Sequence, residues 1–217
     1  MNALLKKEMR LSALLLTYLF IGFGVMTLVP GYPILCGTFF ITLGIFQSFQ
    51  SAREANDIVF SALLPIAKRD VVKGKYQFTA LIELAGFAVM AVLALVRMTV
   101  LADAVIYRQN ALMNANLFFL GCVLLIFGLF NAIFLGGFLK TAYKLGKYFV
   151  IFIAVCFVVI FLAEAAHHVP GLGALNAFGF DHIGLQLLTL LAGAAAFVAL
   201  TFLSYNKACK DFERIDL

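Results

Sequence analysis

Six runs of mostly apolar residues divide the chain, at 11–29, 32–49, 76–101, 116–139, 148–166 and 185–204. About 20 such residues in helical form cross the ~30 Å hydrocarbon core of a bilayer. Inside lipid every backbone amide and carbonyl must be satisfied within the segment, so runs of this kind fold as helices. The chain is 64% hydrophobic and 12% charged, with a mean hydropathy of +1.05, whereas ordinary globular chains carry about 25% charged residues. An all-α polytopic membrane protein follows as the fold class: one transmembrane domain over 1–217 with six transmembrane helices. Pro30-Gly31-Tyr32-Pro33 is a tight turn that sets the first two spans antiparallel.

The charges between the runs orient them. One side receives Lys6, Lys7 and Arg10, then Arg53, Lys68, Arg69, Lys73 and Lys75, then Lys140, Lys144 and Lys147, and last Lys207, Lys210 and Arg214. That is 14 of the 16 basic residues, leaving Arg97 and Arg108 on the other side. Cytoplasmic loops carry the excess of Lys and Arg, so both termini are expected in the cytoplasm of a multi-pass cell-membrane protein. The net charge of +5 is explained by this topology rather than by nucleic acid. Lys6, Lys7 and Arg10 precede the first run as in a signal peptide, but the run is longer than an h-region and no A-x-A-like site follows. Leu4, Leu5 and Met9 fall on one arc of a helix and Lys6, Lys7 and Arg10 on the opposite one. Such a segment reads as a short interfacial helix, or as a frayed basic terminus that merely sets topology.

The longest polar interruption, 50–75, exceeds what a connector needs. Ala55, Ile58, Val59, Ala62 and Leu63 recur at helical spacing, and Arg53 and Asp57 stand four apart. Pro65 breaks this helix because it lacks an amide proton and clashes with the preceding turn. A second helix starts near Lys68, with Asp70 in the first turn where the dipole favours an acid, and runs through Tyr76 into the third span.

Over Leu63-Leu64-Pro65-Ile66-Ala67-Lys68-Arg69-Asp70-Val71-Val72-Lys73-Gly74-Lys75-Tyr76 the chain resembles the permease subunits of ABC-2 type exporters. The likeness is to the compact six-span group related to bacteriocin-immunity and amphipathic-peptide exporters. Its pattern there is Leu-Leu-Pro, an aliphatic, Ser or Thr, two basic or polar residues, an acid, aliphatics, then Gly or Ser, Lys and Tyr. Ala67 departs from it, removing a side-chain cap whose loss costs about 1 kcal/mol. The layout matches along the whole chain, and the tail matches more weakly around Ser204-Tyr205 and 212–217. The resemblance implies that the loop holds a cytoplasmic coupling helix docking into an ATPase, with Glu54, Asp57, Leu64, Pro65, Lys68 and Arg69 transmitting nucleotide-driven closure. The plainer reading is a solvated segment that only sets topology.

Gly74-Lys75 and Gly146-Lys147 lack a Gly five residues earlier and are followed by Tyr, so neither is a P-loop. No cofactor is expected on this chain; ATP and Mg would sit on separate cytoplasmic ABC ATPase subunits. Six spans are half of the usual twelve, which implies a second permease subunit, as a homodimer or heterodimer. The implied cargo is a hydrophobic or amphipathic, peptide- or drug-like substrate. An ATP-independent carrier or channel is the alternative, and an intramembrane enzyme the second.

Polar residues within the runs supply the remaining candidates. Glu83 lies seven residues past Tyr76, about 10 Å into the helix; it reads either as a substrate-cavity acid or as a structural hydrogen-bonding group. Arg97, about 21 Å further along, is expected to snorkel outward or to meet Asp103. Asn116 and Asn131 are expected to hydrogen-bond between helices. Glu164, His167 and His168, with Asp181 and His182 later, invite a metal or protease site, but Glu-x-x-His-His lacks the leading His of the zincin pattern. The segment 169–180 is Gly-rich and apolar enough for a short re-entrant element. Cys36, Cys122, Cys156 and Cys209 have neither metal nor disulfide spacing and are expected as buried apolar side chains.

Overall fold

A computed structural model describes residues 3–63, 65–142 and 144–215; Leu64, one of the residues expected to couple to an ATPase, and the last two residues of the tail lie outside the described residues. Among the described residues the chain is helical throughout, with no strand.

The N-terminal α1 (Ala3–Lys7) passes into a π-helical turn at Glu8–Ser12. The chain then bends by 95° into α2 (Leu15–Ile21), which continues as 3-10 helix over Gly22–Leu28. The expected uninterrupted run over 11–29 is therefore broken at its start. The straight part spans about 25 Å, counting 1.5 Å per α residue and 2.0 Å per 3-10 residue. The arc assignment is also corrected at Lys7. It turns inward to the protein, while Lys6 and Arg10 remain exposed, because its ammonium pairs with the carboxylates of Asp57 and Glu8.

Next come α3 (Cys36–Glu54) and α4 (Asp57–Leu63). Asn56 between them has φ +52, the left-handed conformation that ends helices and that Asn tolerates. Arg53 and Asp57 thus belong to different helices and lose their i,i+4 relation. Helix α5 (Lys68–Thr99) starts at Ala67 with no side-chain cap, in line with the missing Ser or Thr. It runs 32 residues, about 48 Å, well beyond the hydrocarbon thickness.

A short α6 (Val105–Arg108) precedes a rod made of α7 (Leu117–Phe130), a π-helical turn at Asn131–Leu135 and α8 (Gly136–Thr141). The last two long helices are α9 (Leu145–Ala166) and α10 (Ile183–Glu213). The final helix continues nine residues past the expected end of its span at Ser204.

Four helical segments are long and apolar enough to cross a membrane: Lys68–Thr99, Leu117–Thr141, Leu145–Ala166 and Ile183–Glu213. The bent pair Leu4–Ser12 and Leu15–Leu28 makes up to five. Helix α3 is not among them, because Gln47, Ser48, Gln50 and Ser51 dilute its second half. Part of that polarity is used internally: Ser48 Oγ accepts from the Leu14 amide at 3.0 Å and meets Thr17 Oγ1 at 2.6 Å.

The core is an aromatic stack. Phe46 and Phe149 lie face to face at 3.9 Å, and Phe134 meets Phe49, Phe130 and Phe149 within 6 Å. Offset and edge-on ring pairs add to the dispersion gained by close packing. All four cysteines are buried free thiols. Helices α7 and α10 approach most closely where Gly121 faces Gly193: a Cβ on Gly193 would collide with the Gly121 backbone. Small residues permit such contact between apolar helices, where no hydrophobic force drives association in lipid.

Candidate functional site: a buried charge network

The sequence places the four basic clusters far apart, and the fold gathers them at one end of the bundle. Lys75, two turns into α5, is 1% exposed. Its Nζ donates to Glu8 Oε2 at 3.2 Å and to Asp57 Oδ2 at 2.9 Å. Lys7 pairs with Asp57 and Glu8 and donates to Ser61 Oγ at 2.7 Å. The Lys75 ammonium also stands 5.4 Å from the centre of the Phe49 ring. Two ammonium and two carboxylate groups thereby tie α1 and the π-helical turn to α4 and α5.

This knot is electrically neutral, and that explains how it survives burial. A buried charge is tolerated only when paired and hydrogen-bonded. Burial pushes the Asp57 carboxyl up, but Lys75 and Lys7 outweigh it and hold the group below its ordinary value. Glu8 is the member that sequence reasoning missed. A signal was present: a lone acid in a basic segment requires either solvent or a cation partner.

A second line of contacts runs along α5. Lys68, Tyr76 and Glu83 are spaced by eight and seven residues, about two helical turns each, and so share one face. Lys68 Nζ donates to the Ile215 carbonyl at 2.6 Å, at the end of the last helix. Tyr76 Oη meets Ser204 Oγ at 2.6 Å, and Ser204 Oγ donates to the Asn131 carbonyl at 2.9 Å. Asn131 Nδ2 donates to Glu83 Oε2 at 2.9 Å and to Thr201 Oγ1 at 3.0 Å. The seam joins α5 and α10 through the first residue of the π-helical turn. Such turns recur at functional sites because they open the regular ladder.

Glu83 is fully buried here, and its Oε1 has no partner, nor does Asn131 Oδ1 beside it. Glu83 does not line the two cavities that open along α10 near this level. Asn131 serves between helices as expected.

The six coupling candidates divide by orientation. Glu54, Pro65 and Arg69 are exposed, while Asp57 points into the knot and Lys68 ties down the tail. Leu64 is outside the described residues. Beside them Val59 and Phe60 expose apolar side chains on α4. Phe60 was absent from the expected helical stripe because it lies opposite Ile58, which is buried.

At the far end Arg97 is buried, contrary to a snorkelling or Asp103-bound side chain. Its guanidinium stacks 3.8 Å from the Tyr107 ring centre and donates to the Thr27 carbonyl at 3.0 Å and Asn114 Oδ1 at 2.9 Å. Asp103 pairs with Arg108 instead. The bend from α6 brings Tyr107 and Asn114 over Arg97, which spacing along one helix does not show.

Asn116 caps α7 by accepting from the Phe119 amide at 3.1 Å, and it donates to the Leu175 carbonyl at 2.9 Å. With Asn114, which donates to the Ala177 carbonyl at 3.1 Å, it satisfies the backbone of the 169–180 segment, as irregular chain between spans requires. Glu164 accepts from the Met113 amide at 2.8 Å and His167 contacts the Ala111 carbonyl at 3.1 Å. Among the described residues no group of three or more His, Cys, Asp or Glu side chains converges as metal ligands.

No curated protein and no solved structure matches the chain. A sequence profile described as "ABC-2 family transporter protein" matches residues 3–213. That span takes in the knot, the seam and all the long apolar helices, and membership implies work in a membrane alongside ABC ATPase partners. The chain belongs to the ABC-2 family of transporter proteins, as a membrane permease.

Proposed function

We propose that this permease is the membrane-spanning subunit of an ATP-driven exporter, with ATP and Mg bound and hydrolysed on separate cytoplasmic ATPase chains. The observation that carries the reading is the buried knot, in which Asp57 of α4 and Lys75 of α5 are joined at 2.9 Å. A force applied at α4 reaches α5 through a rigid, fully paired contact rather than through a slack loop. Glu54, Pro65, Arg69, Val59 and Phe60 form the exposed face for the ATPase, with Leu64 placed there by resemblance. Lys68 and Asp57 pass the movement inward.

In this reading both termini are cytoplasmic, since the knot, the tail contact and the basic residues lie at one end and Arg97 and Arg108 at the other. The α2 and α3 helices complete six spans, with Ser48 from the polar half of α3 bonded to Thr17 of α2, and α1 lies in the interface. A second permease subunit, identical or related, completes the pathway. Glu83 lines the route of a hydrophobic or amphipathic substrate once α5 and α10 move apart. Its unpartnered oxygen supports this, and Glu83→Gln is expected to alter substrate-stimulated ATP turnover.

Co-expression with a candidate ATPase and purification in detergent tests the coupling role. The permease should retain the ATPase, and Phe60→Asp, or Lys68→Glu with Arg69→Glu, should release it and stop transport. Transport that persists unchanged in these variants refutes the reading.

A further inference from the structure

At the basic end of the bundle a cavity of about 490 Å³ opens between α8, α9 and α10. Its walls are apolar, built from Ile133, Ile151, Leu200 and Leu203, and its rim carries Lys140, Lys207 and Asp211. Gly136 and Gly137 at its base let Ser204 and the Tyr148 ring pack against the backbone: a Cβ on Gly136 would lie 2.5 Å from Ser204 Oγ, and one on Gly137 would collide with the Tyr148 ring. The π-helical turn supplies Ala132 and Ile133 to the wall. Lys140 and Lys207 are exposed, and neither forms an ion pair among the described residues. With a single acid between them the rim carries a net positive charge.

An apolar trough ending at two cationic side chains fits an amphiphile with an anionic head. We infer that this cavity binds an anionic phospholipid from the adjoining leaflet, its phosphate held by Lys140 and Lys207 and an acyl chain laid along Ile133, Leu200 and Leu203. Basic pockets between helices at the cytoplasmic face meet a leaflet rich in such lipids. The inference rests on the proposed cytoplasmic placement of this end. It assigns the flank of α10 to lipid, apart from the coupling face on α4.

Native mass spectrometry of the detergent-purified protein, titrated with phosphatidylglycerol or phosphatidylcholine, tests it. Phosphatidylglycerol should be retained in preference to phosphatidylcholine. Lys140→Gln with Lys207→Gln should weaken its retention about tenfold or more. Lys144→Gln with Lys147→Gln removes the same charge next to the cavity without touching its wall, and should leave retention unchanged. Leu203→Trp fills the trough from an exposed position and should lower retention with both lysines intact. Equal binding of the two lipids, equal loss in both lysine pairs, or full retention in the cavity variants overturns the inference. None of these results bears on capture of an ATPase, so failure here and failure of the exporter reading are read separately.

Discussion

Replacing Lys75 by Met is the sharpest probe of the knot. Met has nearly the same length and is accommodated in irregular apolar space, so the change removes charge more than volume. The two carboxylates, Glu8 at 3% exposure and Asp57 half-buried, would then share the single cation of Lys7. Removing one partner of a buried ion pair costs about 3–5 kcal/mol because the other charge is left uncompensated. Since Lys7 still contacts both acids, the lower end, about 3 kcal/mol, applies. For a chain of this size that lowers the thermal midpoint by about 6–12 °C. The protein has no Trp, but it has four buried free cysteines, so a thiol-reactive dye reports unfolding in detergent. Asp57→Asn added to Lys75→Met restores neutrality with Lys7 and Glu8 and should recover a large part of the loss. The double variant would then be more stable than additivity allows. A shift under about 2 °C for Lys75→Met, or strict additivity in the double variant, refutes the argument that the knot is a neutral, mutually compensated unit.

Two further outcomes follow from the same geometry. Asp57 has its carboxyl held down in the folded protein, so its contribution to stability is fully present above its ordinary value in the unfolded chain. That contribution is lost as pH falls through the lower folded value. The thermal midpoint should therefore decline in the acid range, below about pH 4, and Asp57→Asn should flatten that decline; an unchanged acid profile in the variant counts against the assignment. At the α7–α10 crossing, Gly193→Ala places a methyl against the Gly121 backbone and should abolish stable folding, whereas Gly184→Ala, which meets open space, should leave the midpoint within about 2 °C. Equal behaviour of the two would show that the crossing is not tight.

Local chemistry made much of the fold readable. Apolar run length located α9, the starts of α7 and α10 and the end of α5 to within a few residues, because a helix in lipid is specified by its own composition; α5 begins eight residues before its apolar run, in the loop. Pro65 and the uncapped Ala67 marked the break before α5 for equally local reasons. Reading was poorest at α1 to α3. There a 95° bend, a 3-10 stretch and a polar half-helix are stabilised by neighbours: Ser48 and Thr17 satisfy each other only once α2 lies on α3. The same limit explains Arg97, whose partners Thr27 and Asn114 come from opposite directions along the chain.

The sequence by itself determined the solvent, the secondary structure and the separation of nearly all basic residues from the opposite loops, since each depends on composition summed over a window of neighbours. It also carried the likeness to the ABC-2 family, whose profile matches residues 3–213. Tertiary structure alone decided which charges meet. Lys75 finds Glu8 67 residues away, and Lys68 finds the tail carbonyl at Ile215 147 residues away. A charged side chain in the low dielectric of a bundle takes whatever opposite charge the packing brings within reach. The partner is therefore set by how the helices pack, and not by distance along the chain.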